Sequence, residues 1–87
     1  MNTSDSEQHR HAERRLQLRN SLNQYARLLL KSNGGSLLQD ELSVMFLTAA
    51  RMRKGAWELG VTNRQLEQML ERTVQRLDIS SHTRTSL

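Results

Sequence analysis

Residues 56–77 read Ala56-Trp57-Glu58-Leu59-Gly60-Val61-Thr62-Asn63-Arg64-Gln65-Leu66-Glu67-Gln68-Met69-Leu70-Glu71-Arg72-Thr73-Val74-Gln75-Arg76-Leu77. Their order predicts two helices joined by a tight turn. Ala56 is small enough for two helices to cross closely. Gly60 supplies the positive φ that such a turn needs. Val61 fills the space beneath it. Thr62-Asn63-Arg64-Gln65 is a capping box that opens the second helix. Leu66 and Met69 pin that helix to the first, and Leu66, Leu70, Thr73, Val74 and Leu77 share one face, which fades by Asp78 to Ser80.

Upstream, two further helical patterns appear. From about His9 to Lys31, Leu18, Leu22, Tyr25 and Leu29 recur at helical spacing and form one stripe, widened by Leu28 and Leu30. Asn33-Gly34-Gly35 then stops the helix, since Asn and Gly accept the left-handed conformation of a C-terminal cap. Ser36 with Gln39 forms another capping box, and Leu38, Leu42, Met45, Ala49 and Met52 follow on one face beside Phe46. Asp40 and Glu41 stand in the first turn, where the helix dipole favours negative charge. At Lys54-Gly55 the helix either breaks or continues to Leu59 with a weak point. The expectation is an all-α fold, a small bundle of three to four helices, with residues 8–79 as one domain between flexible tails at 1–7 and 80–87.

Composition narrows the classes. Eighty-seven residues, 36% hydrophobic with one Trp, one Tyr and one Phe, support one marginal core, and dimerisation would bury more apolar area. The absence of cysteine excludes disulfides and thiolate metal sites; four glycines and no proline argue against a turn-rich β fold. Thirteen basic residues against nine acidic ones give a net charge of +4, compatible with nucleic acid, an anionic surface or an acidic protein. No apolar run approaches the ~20 residues of a bilayer span. The polar, acidic start at Met1 to Glu7 is unlike a secretory signal, so a cytoplasmic location without membrane contact is expected.

The turn at 56–77 resembles the helix-turn-helix of the C-terminal region of bacterial sigma factors and of many small repressors. Gly60-Val61-Thr62, the apolar Leu66 and Gln68-Met69 carry the likeness, which covers this stretch alone. The resemblance implies a bacterial or phage transcription regulator that binds double-stranded DNA, with Asn63, Arg64, Glu67 and Gln68 facing the major groove. Arg and Asn can pair with guanine and adenine edges. Glu67 and Glu71 depart from a good DNA reader, because their charge repels phosphate. Trp57 takes a position often held by a polar residue, which predicts packing against another element or a partner.

Arg51, Arg53 and Lys54 precede the motif, where a helix-turn-helix commonly meets the phosphate backbone. Arg10, Arg14, Arg15, Arg19, Arg27 and Lys31 make the first helix basic, which suits either phosphate contacts or a solvated face. The stripe Leu18, Leu22, Tyr25 and Leu29 is either a homodimer seam or, in a monomer, a core face folded onto Leu38, Leu42 and Met45. A second function fits the same residues: an all-helical adaptor or anti-activator that acts on a signalling or transcription protein without touching DNA. Its surface would be Phe46, Met52, Trp57 and Met69. His9 and His11 point to different sides of a helix, Glu7 and His11 make only two ligands, and His82 stands apart, so no metal and no cofactor are expected. No Ser-His-acid set, phosphate-cradling glycine loop or carboxylate pair points to an enzyme or a small-molecule substrate.

Overall fold

The computed structural model describes the backbone of residues 3–35 and 37–85, and the side chains of residues 7–35 and 37–79. It is all-α: α1 (Thr3–Asn33), α2 (Gln39–Glu58) and α3 (Asn63–Thr85). The helical backbone extends past both ends of the apolar pattern, to Thr3 and to Thr85. No glycine or proline stands in either terminal stretch to stop it. With so long a first helix the molecule is elongated, 52 × 31 × 22 Å.

α1 packs against both other helices, which touch each other least. α2 runs antiparallel to α1, and three contacts fix the register. Lys31 Nζ meets Glu41 Oε2 at 2.7 Å near one end, and Arg14 Nε meets Glu58 Oε2 at 3.4 Å at the other. Next to that second pair, Gly55 lies directly beneath Leu18, so that a Cβ on the glycine would stand 3.7 Å from the Leu18 Cβ. The helix runs through Gly55 unbroken to Glu58. Gly55 marks a close approach of two helices, not a break.

The core cluster is Leu18 and Leu22 of α1, Met52 and Ala56 of α2, and Leu66 of α3, with Tyr25, Leu59, Val61, Met69 and Leu70 packed around it. Ala26 and Ala49 are buried as well. The α1 stripe is therefore a core face at Leu18 and Leu22, and it folds onto Met52 and Ala56. Leu38 and Leu42, expected beneath it, are exposed at 68% and 41%, and Met45 is half-buried. The small residues of α2 explain this: Gly55 and Ala56 let α1 come close at the C-terminal half of α2, and the bulky residues of the other half remain outside. Thr48 and Thr73 are buried, yet each hydroxyl donates to a carbonyl one turn back, Val44 at 2.7 Å and Met69 at 2.8 Å.

α2 begins at Gln39, later than a Ser36 cap would start it; Ser36 itself lies outside the described residues. Leu38 takes the N-cap position in extended backbone (φ −80°, ψ 160°). Its side chain has no acceptor, so only the return half of a capping box forms, with the Leu38 amide donating to Glu41 Oε1 at 3.2 Å. Glu41 thus caps α2 with one oxygen and ties it to Lys31 of α1 with the other. Both interactions hold its carboxyl below the ordinary glutamate value, the Lys31 hydrogen bond first and the Leu38 amide second.

Candidate nucleic-acid interface

The turn between α2 and α3 is built from backbone hydrogen bonds. The Val61 amide donates to the Ala56 carbonyl oxygen at 2.8 Å, and the Gly60 amide donates to that of Trp57 at 3.1 Å. These are the two bonds of a Schellman ending, with Gly60 at φ +71° in the left-handed position that lacks a steric cost only for glycine. Val61 follows half-buried over Ala56. The next residues close the capping box in both directions. The Thr62 amide donates to Gln65 Oε1 at 3.0 Å, and the Gln65 amide donates to Thr62 Oγ1 at 3.1 Å. Leu66 is buried in the core and Met69 is half-buried against it.

That geometry leaves Asn63, Arg64, Glu67 and Gln68 exposed at the start of α3. Asn63 and Glu67 line a cleft of about 500 Å³ together with Arg53 of α2, over Tyr25, Met52 and Leu66. Arg64 and Gln68 lie further round the outer face, with Arg64 between Glu71 and Gln68 in angle. Arg53 alone of the three basic residues of α2 joins the α3 start. At 100° per residue it lies about 160° from Arg51 and about 100° from Lys54. Arg51 and Lys54 line a separate groove against α1, beside Gln17, Ser21 and Glu58.

The proposed partner surface also divides. Met52 is 6% exposed and belongs to the core, and Met69 packs on it. Phe46 and Trp57 are 76% and 82% exposed. Trp57 is therefore left largely uncovered by the rest of the fold. With Leu42 and Ala50 these two rings follow one side of α2, while Val44 and Leu47 continue the apolar surface around the helix.

Sequence reasoning missed a second basic feature. Arg15 and Arg19 of α1 and Arg72 and Arg76 of α3 surround a cavity of about 420 Å³ whose floor includes Leu18, Leu22 and Met69. The spacing of four within each pair was visible; the meeting of the two pairs depends on how α1 and α3 pack. Arg76 Nη2 donates to Asn23 Oδ1 at 3.1 Å across that boundary.

His9 Nε2 contacts Glu13 at 3.3 Å in an exposed helical pair. Among the described residues no group of three or more His, Cys, Asp or Glu could hold a metal ion, and no helix is long and apolar enough to cross a membrane. His82 lies outside the described side chains. No family model, curated protein or solved structure matches the chain.

Proposed function

We propose that this chain is a small DNA-binding transcription regulator that reads the major groove with the start of α3. The observation that carries the reading is the turn itself. Schellman bonds at Ala56–Val61, left-handed Gly60, the two-way Thr62–Gln65 box and buried Leu66 hold the exposed α3 residues at a fixed angle to α2. Asn63 and Arg64 supply base-edge donors and acceptors, Gln68 extends the face, and Arg53 meets phosphate beside them. Arg51 and Lys54 face another groove and contribute to long-range attraction only. Glu67 disfavours phosphate nearby and accepts from cytosine amino groups. The protein acts as a homodimer joined around Phe46 on the outer side of α2, since the α1 stripe is taken up by the core, with Arg53 two turns further along left open to phosphate.

The exposure of Phe46 and Trp57 also favours a second reading, in which α2 docks on a different protein and DNA is not touched. Amide chemical-shift mapping separates the two. A duplex titration that perturbs residues 62–68 supports the DNA reading. Unchanged amides there in the presence of saturating duplex support the adaptor.

A further inference from the structure

The cavity between α1 and α3 has a composition that neither reading uses. Four arginines, Arg15, Arg19, Arg72 and Arg76, stand exposed around it, and among the described residues no carboxylate lines it, Glu7 lying in an adjoining cleft with His11 and Arg15. Two cations at other helix contacts meet carboxylates, Arg14 with Glu58 and Lys31 with Glu41. At this cavity Arg76 meets, among the described residues, the neutral Asn23 oxygen. Four like charges gathered at one mouth repel each other unless an anion lies among them. Beneath them the floor is apolar: Leu18 and Leu22 are buried, and Met69 is half-buried. The volume, about 420 Å³, lies in the range of sites for small organic ligands, roughly 300–1,000 Å³.

We propose that this cavity binds a small organic anion with an apolar body, its carboxylate or phosphate held by Arg15, Arg19, Arg72 and Arg76 and its apolar part seated on Leu59, Val61 and Met69. Guanidinium forks match a carboxylate or phosphate in two-point geometry, and half-buried Leu59, Val61 and Met69 gain by losing water to an alkyl or aryl group. A bare inorganic anion satisfies the rim and leaves the floor wet. A DNA backbone does the same, as it presents phosphates without an apolar body to fill the cavity. The site lies on the α1 side of α3, away from Asn63 and Arg53 but adjoining Gln68 through a cleft with Met69 and Arg72, and it is tested without DNA.

The test uses the full chain without DNA and decanoate as the probe, below its micelle concentration. Calorimetry is expected to give one binding site per chain, with decanol bound at least about tenfold more weakly because it lacks the charge. The double variant Arg15→Gln/Arg72→Gln is expected to weaken decanoate at least about tenfold while its circular dichroism is unchanged, since both side chains are exposed. Amide shifts are expected at residues 18–22 and 69–73. Three results would overturn the proposal: no binding of decanoate, equal binding by the double variant, or shifts confined to the Phe46–Trp57 side of α2. Complete displacement by inorganic phosphate at equal concentration would overturn it too, since the apolar body would then contribute nothing.

Discussion

The carbonyl of Ala56 accepts from the amide of Val61 at 2.8 Å, so the last turn of α2 and the residue that leads into α3 are one hydrogen-bonded unit. Everything proposed for the start of α3 depends on that unit being rigid, and Gly60 is the residue that permits it. A Gly60→Ala variant must place a Cβ at φ +71°. We expect a loss of about 1 kcal/mol in urea denaturation, from conformation alone, because nothing lies within 4 Å of that position. Gly55→Ala should do the opposite. Its Cβ would sit at 3.7 Å from Leu18, an ordinary contact, in mid-helix, and a gain of about 0.5–1 kcal/mol is expected.

The capping box can be tested on its own. Thr62→Ala removes the acceptor for the Gln65 amide and should cost about 0.5–2 kcal/mol. Thr62→Ser keeps the hydroxyl and should retain most of the stability, measured by thermal unfolding.

Core and outer surface should respond differently. Leu22 is 3% exposed between the helices, and Leu22→Ala should cost about 2–5 kcal/mol, a large part of a small domain's stability. Trp57→Ala should change the stability of the isolated chain by no more than about 0.5 kcal/mol, because the ring is 82% exposed. If α2 pairs two copies, Phe46→Ser/Trp57→Ser shifts sedimentation from dimer to monomer while helicity is kept. A wild-type chain that is monomeric at high concentration would contradict the dimer.

The link between α1 and α2 carries a pH dependence. The Glu41 carboxyl lies below its ordinary value of 4.5 through Lys31 and the Leu38 amide. A carboxyl lowered on folding stabilises fully above its unfolded pKa, and the contribution is lost as pH falls through the folded value. The difference in melting temperature between wild type and Glu41→Gln should therefore be constant above about pH 5 and shrink on further acidification. A difference that grows as pH falls would contradict the assignment.

The legible parts of this fold are those written in local chemistry. Gly60 and the Thr62–Gln65 box act over three or four residues, so their geometry follows from their order. Three helices and the exposure of Asn63, Arg64, Glu67 and Gln68 follow from the same spacing. Gly55 could not be decided from sequence, because its helix propensity is opposed by a contact with Leu18 from a distant segment. The face of α2 was legible at Met45, Ala49 and Met52, but how far along it α1 covers was not, and Leu38 and Leu42 at its start stay exposed. Spacing marks the inward side of α2 but not the level at which it is covered, and it is Gly55 and Ala56 that admit α1 at the C-terminal half. The arginine-rimmed cavity needs two helices brought together and has no signature within either.

The central claim is DNA recognition by the start of α3. The direct measurement is fluorescence anisotropy of a labelled random-sequence duplex titrated with the protein at several salt concentrations, for wild type and for Arg64→Ala and Arg53→Ala. The account predicts binding that weakens steeply with salt and is weakened further by Arg53→Ala on every sequence. On a duplex selected for tight binding, Arg64→Ala should lose about 1–3 kcal/mol of discrimination. Absence of binding at low salt, where even non-specific attraction to phosphate should appear, would contradict the account and leave the exposed side of α2 as the working surface.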